Sequence, residues 1–189
     1  MNLTQKHKIG IGAFILLIGL LVSYSFLDSP DRITVNQLYP EENLELENLY
    51  SSSDVVVRGN VESISDARWD TEDGDKPLTV NKDDEIYRLA TIKVQETIKG
   101  DTHSELRIKI QGGKADGIIY AVTPSTEIQV GENTVLFLEK TGKDYYELVS
   151  GPIGKMSVEN GTITRDVPNN YTQKLQVSEL ENFSSEIGN

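Results

Sequence analysis

The chain has 189 residues, 30 acidic against 18 basic, a formal net charge of −12 and no cysteine. Without thiols there is no disulfide framework, no thiol nucleophile and no thiolate metal site. Lys6 and Lys8 are the only basic residues before Asp28 and every acidic residue follows Leu27, so the rest of the chain carries 16 basic against 30 acidic groups, a net −14. That balance leaves no basic face to track a phosphate backbone, and nucleic acid is set aside as a partner class.

Ile9 to Leu27 is a run of 19 uncharged, mostly apolar residues. As a helix rising about 1.5 Å per residue it reaches roughly 28 Å, close to the thickness of a hydrocarbon core, about 30 Å. Lys6 and Lys8 before it, with Asp28 and Asp31 after it, put the N-terminus in the cytoplasm and the remainder outside. Ser23-Tyr24-Ser25 offers the small residues of a signal-peptidase site, whereas apolar character continuing through Phe26 and Leu27 fits an uncleaved anchor. The expected organisation is a cytoplasmic tail over 1–8, a transmembrane helix or signal segment over 9–27, a linker over 28–40 and an extracytoplasmic β-barrel domain over 41–189. The expected location is the cell membrane, single-pass, or the exterior after signal cleavage.

Past the linker, Leu46, Leu49 and Tyr50 recur at helical spacing with acids early, predicting a short helix over 41–52. Val55, Val57, Val61 and Ile64 then read as a strand with a bulge or bend at Gly59. Residues 66–85 form an acidic insertion containing Gly74 and Pro77, long enough to be a mobile loop. The longest strand candidate follows, "IYRLATIKVQETIKG", ended by Gly100-Asp101. In "ELRIKIQ", Leu106, Ile108 and Ile110 alternate with Arg107, Lys109 and Gln111, predicting a half-buried strand whose charged face meets water. "GIIYAV" is a further strand, and "EIQVGENTVLFLEKTGKDYYELV" reads as two strands turning at residues 141–144. "KMSVENGTITR" is a hairpin on Asn160-Gly161, the pair preferred in type I′ turns. Ser178 caps a C-terminal helix with Leu180, Phe183 and Ile187 on one stripe. About seven short strands between two short helices predict a mainly β chain, a small closed or partly open barrel or sandwich.

The chemistry-bearing patterns are sparse. "KTG" at 140–142 has no Ser-x-x-Lys nucleophile to accompany it and reads as a turn. "GPIGK" at 151–155 is too short for a phosphate loop and reads as a tight corner entering a strand. "DTEDGD" at 70–75 misses the glycine register of an EF-hand; it is a solvated acidic loop or a weak cation site. Trp69 beside it is either an exposed binding anchor or tucked against the barrel rim. His7 and His103 fall on opposite sides of the membrane in this topology, so no paired-histidine zinc site or Ser-His-Asp set exists. No catalytic, cofactor-binding or metal-ligating residue is nominated, and no cofactor is expected.

"SSSDVVVRGNV", "ATIKVQETIKGD", "VGENTVLFLEK" and "GPIGKMSVENG", spread over Leu44 to Thr164, resemble a group of exported, uncharacterised domains of Gram-positive bacteria. Those domains look distantly like the netrin-like barrel of tissue metalloproteinase inhibitors, an OB-fold variant. The resemblance implies an OB-like barrel. The inhibitors' cysteine-led mechanism does not carry over, since this chain has no cysteine. The expected function is a non-enzymatic binding or interaction module of the bacterial envelope, held to the membrane by residues 9–27, with an envelope protein or polymer as partner. The alternatives are a carboxylate-based envelope hydrolase and a regulator of an extracytoplasmic protease.

Overall fold

The computed structural model describes residues 31–39, 45–167, 171–176 and 178–180. All of these but Asp31 belong to one compact unit, Arg32–Asn189. The segment expected to be a transmembrane helix, 9–27, lies outside the described residues. Among the described residues no helix is long and apolar enough to cross a membrane.

Five strands close a barrel. β2 (Val55–Ile64) pairs antiparallel with β4 (Ile86–Lys99), which pairs antiparallel with β5 (Glu105–Gln111). β5 pairs parallel with β9 (Tyr146–Leu148), β9 antiparallel with β8 (Asn133–Lys140), and β8 antiparallel with β2. This order, with its one parallel contact between the third and fifth barrel strands, is the connectivity of an OB-like barrel, so the mainly β expectation holds. The interior is filled by alternate residues of all five strands, including Val57, Val61, Ile92, Leu106, Ile108, Leu136, Leu138 and Leu148.

Two strands are apolar on both faces, and consecutive apolar runs are how their sequence records it. Val55-Val56-Val57 and Val135 to Leu138 are all buried. Val56, Val135 and Phe137 point away from the barrel interior into a second core. That core is covered by helix α1 (Leu46–Ser52) through Leu49 and Tyr50, and by β10 (Lys155–Glu159) and β11 (Thr162–Val167) through Met156 and Ile163. β12 (Tyr171–Gln176) extends the sheet beyond β11. Lys99 secures the end of α1, its ammonium donating to the Tyr50 carbonyl at 2.6 Å and lying 4.7 Å from the Tyr50 ring centroid. The 310 turn Gly151–Gly154 makes the tight corner into β10, and Asn160 and Gly161 take the positive φ values of 50° and 78° that the β10–β11 turn demands.

The sequence reading differs from the structure at three places in the fold. Residues 32–36, taken as part of a linker, form β1 (Arg32–Asn36), which pairs parallel with β7 (Ile118–Thr123); β6 (Gly113–Ala115) completes a small three-stranded sheet. The acidic insertion is not a free loop: it starts with β3 (Arg68–Trp69), paired to β4. On the charged face of β5, expected to meet water, Lys109 is buried beneath the acidic insertion, whereas Arg107 stays in water with 42% of its side chain exposed. Of the two expected helices, the first begins at Leu46 with 41–44 outside the described residues, and Ser178 to Leu180 are helical with the remainder of the second outside them.

The bulge expected at Gly59 is present as a register shift between Arg58 and Gly59. A Cβ there would stand 2.5 Å from the Lys93 carbonyl oxygen and 2.8 Å from Ile92 Cγ2. Gly59→Ala therefore forces β2 away from β4, and its expected cost is about 1–3 kcal/mol, as for overpacking elsewhere, read as a lower urea midpoint with unchanged slope.

Candidate functional site

The wall of β5 that the sequence reading left in water is the centre of the site. Lys109 leaves the barrel on its outer face, opposite Leu89 on β4, and its side chain is only 5% exposed. A buried ammonium is costly unless paired, and this one is paired twice. It donates to Asp70 Oδ2 at 2.8 Å and to Glu85 Oε2 at 2.9 Å, the first within the acidic insertion and the second its last residue. The Tyr87 ring centroid lies 5.2 Å from the same nitrogen, and Glu147 on β9 approaches to 3.8 Å. Lys143, in the turn between β8 and β9, donates to the other Asp70 oxygen at 3.2 Å.

These contacts move the titrations. Burial pulls Lys109 down, but the hydrogen bonds and charges of Asp70 and Glu85 outweigh it and hold the ammonium well above its ordinary range. Burial likewise pushes Asp70 up, and Lys109 then Lys143 reverse it, so the carboxyl sits below its ordinary value. The "DTEDGD" segment is thus resolved: its first carboxylate neutralises lysines, and Thr71 Oγ1 donates to the Asp75 carbonyl at 2.9 Å to close the loop. Among the described residues no group of three acidic or histidine side chains is placed to hold a metal ion. Trp69 is fully buried with Ile86, Ile118 and Tyr120, and its indole donates to Asp116 Oδ2 at 2.9 Å. His103, in the turn before β5, is exposed and borders a separate shallow recess beside Arg107 and Asp144.

A cleft of about 210 Å³ opens beside Lys109, between the chain that leaves β1, the end of β7, and the β8–β9 pair. Its floor is a hydrogen-bonded chain. The Tyr39 hydroxyl donates to Gln37 Oε1, Gln37 Nε2 donates to Gln111 Oε1, and Gln111 Nε2 donates to both Glu85 oxygens at 3.3 Å. Burial raises the Tyr39 phenol, so it stays a donor. At the far end Gly151 has φ 55°, and a Cβ there would strike the Tyr39 ring, so the corner after β9 is shaped to the tyrosine.

The floor's amides are engaged with one another and with Glu85; the wall's carboxylates are engaged less. Glu139 and Glu147 face each other in register across β8 and β9, where side chains on directly paired residues have Cβ atoms about 5 Å apart. Among the described residues Glu139 has no ion-pair or hydrogen-bond partner, and Glu147 has only the long approach to Lys109. Partial burial, then the charge of Glu147, then that of Asp54 push the Glu139 carboxyl above its ordinary value. The cleft therefore presents one carboxylate without a donor, Glu139, beside a second, Glu147, approached only by Lys109 at 3.8 Å.

A raised carboxyl binds its proton more tightly folded than unfolded, so folding gains stability as the pH falls through the folded value toward the ordinary one near 4.3. Glu139's contribution to stability therefore grows as the pH is lowered from neutrality toward that ordinary value. Glu139→Gln should remove that gain and be no less stable at pH 7, which urea midpoints across the range will show.

None of these site residues was nominated from the sequence. Lys109 looked like one more polar position on an amphipathic strand, and its partners lie 39 and 24 residues upstream. Glu139 and Glu147 were visible only as acids near a turn; the register that opposes them was not. No protein-family model matches the chain, and no curated protein matches it.

Proposed function

We propose that the protein is a non-enzymatic binding module of the bacterial envelope, held to the membrane by residues 9–27 with the barrel on the extracytoplasmic side. Its cleft takes a cationic, hydrogen-bond-donating group such as an ammonium or guanidinium. The observation that carries this reading is the Glu139–Glu147 pair: two carboxylates, in register, above a floor whose amides are already hydrogen-bonded. The net −14 of the chain beyond Leu27 supports it by drawing basic ligands to the surface. By analogy with other OB barrels, which bind through the loops after the first and fourth strands, the acidic insertion and the β8–β9 turn are the binding loops, and here Asp70 and Lys143 join them.

Titrating the full chain in nanodiscs with tri-arginine, spermidine and a neutral cello-oligosaccharide tests this. Tri-arginine and spermidine should bind in a salt-sensitive way, and the double variant Glu139→Gln/Glu147→Gln should lose at least tenfold, about 1.4 kcal/mol. Equal binding by the variant, or preference for the neutral sugar, overturns the reading. The second reading, a carboxylate hydrolase of envelope glycans, is favoured by the same opposed pair with one member raised; turnover of cell-wall polymer lost in Glu139→Gln, with the fold intact, would establish it.

A further inference from the structure

The cleft is not made by the barrel alone. Gln37 and Tyr39, which line it, belong to the stretch that follows β1, whereas Glu139 and Glu147 line it from β8 and β9. Without that stretch the cleft lacks one of its sides. Yet β1 is held lightly. Among the described residues it pairs with β7 alone, at the end of the small sheet. None of its five residues is fully buried; exposed and half-buried positions alternate, with Ile33 and Val35 resting on the Trp69 cluster. An element with so few buried apolar contacts opens at a fraction of the free energy of global unfolding.

Beyond the ladder with β7, the fixings of this stretch lie at the cleft itself. The Gln37 backbone amide donates to the Thr123 carbonyl at 2.8 Å. Its side-chain amide donates to Gln111 on β5, and the Tyr39 hydroxyl donates back to Gln37. Gln111 bonds Glu85, and Glu85 bonds Lys109, so the stretch is fastened to the buried ion cluster. The Tyr39 ring is seated against Gly151, where a Cβ would collide with it. The groups that attach residues 32–39 and the groups that wall the cleft are therefore the same. A ligand shifts an equilibrium only by its differential affinity for the two states. Here the difference is plain: with the stretch docked, a cation in the cleft is enclosed between the Gln37–Tyr39 side and the carboxylates, and with it undocked that side is open to water.

We infer that residues 32–39 are a latch whose docking is coupled to occupancy of the cleft: a bound cationic group fastens the stretch to the barrel, and release of the stretch lowers the affinity of the cleft. The coupling runs both ways by the same factor. This inference rests on the cleft reading given under the proposed function, and it makes the stretch that joins residues 9–27 to the barrel the reporter of the site's occupancy.

Amide hydrogen exchange of the full chain in nanodiscs, with and without saturating spermidine, tests this. Spermidine should slow exchange at residues 33–37 by about fivefold or more, the low end of ordinary coupling factors, and leave the tip of the β10–β11 hairpin unchanged. Ile33 packs on the Trp69 cluster and does not line the cleft. Ile33→Ser should therefore speed exchange at 33–37 without ligand and weaken spermidine binding by about fivefold, through the latch alone; Ile33→Val should restore both. Spermidine binding with exchange at 33–37 unchanged, or slowed no more than at the hairpin tip, overturns the latch and leaves the cleft reading standing. So does an Ile33→Ser chain that exchanges faster there yet binds spermidine as the wild type does. Failure of the wild-type chain to bind spermidine overturns the cleft reading, and the latch with it.

Discussion

Lys109→Met should lower the stability of the folded domain by about 3 kcal/mol, within the range for removing one partner from a buried ion pair. For a domain of this size that is a fall in Tm of roughly 6–12 °C. The methionine fills the lysine's volume, so the loss is not a cavity. It is the repulsion and desolvation of Asp70 and Glu85, left facing each other with 25% and 30% of their side chains exposed. The triple variant Lys109→Met/Asp70→Asn/Glu85→Gln removes the charges together and should recover most of the loss. The pH dependence carries the same signature. Asp70 is depressed, so its contribution is complete above the ordinary value near 3.9 and disappears as the pH falls through the folded value. Lys109 is raised, so its contribution is complete below about 10.4 and disappears as the pH rises through the folded value. Lys109→Met should flatten both limbs in urea titrations followed by Trp69 fluorescence. A midpoint unchanged within about 0.5 kcal/mol, the spread of ordinary surface substitutions, would mean that the lysine is solvated.

Trp69→Ala should cost about 4 kcal/mol, the middle of the range for deleting a large buried aromatic. Trp69 is fully buried between β4 and the β1–β7–β6 sheet, with Ile86, Ile118 and Tyr120 around it. Trp69→Phe keeps much of the packing and loses the hydrogen bond that the indole donates to Asp116 Oδ2 at 2.9 Å; Asp116 is exposed, so water takes the donor's place, and the variant should cost nearer about 1 kcal/mol. Far-UV circular dichroism during urea unfolding measures both. Equal losses in the two variants would place the whole effect in the hydrogen bond; a small loss in Trp69→Ala would show that the small sheet is not docked on the barrel.

Local patterning carried the barrel well. Leu106, Ile108 and Ile110 turn inward as their alternation says, the Asn160-Gly161 turn forms where the dipeptide stands, and the consecutive apolar residues of β2 and β8 mark strands covered on both sides. Covering is the part that local pattern cannot express. The polar face of β5 looked like a solvent face because nothing within ten residues of Lys109 reveals that residues 70 and 85 return to it. "RITVN" alternates as a strand should, yet it is short and its partner β7 begins beyond residue 117, so its place in a sheet was illegible. The acid pair of the cleft is a register effect: Glu139 and Glu147 meet because the β8–β9 turn sets the pairing, and a slip of one residue would separate them.

The closing strands also set a clock. β2 is complete at residue 64, yet its barrel neighbour on one side is β8, with Val55 paired to Leu138, and the parallel contact of β5 waits for Tyr146. Contacts so distant along the chain form slowly, because loop entropy is lost before they return any stabilisation. A chain that emerges N-terminus first must therefore carry the bare apolar edge of Val55 to Val57 until more than 80 further residues have followed it, and it is during that interval, rather than after folding, that the protein is most exposed to proteolysis and self-association.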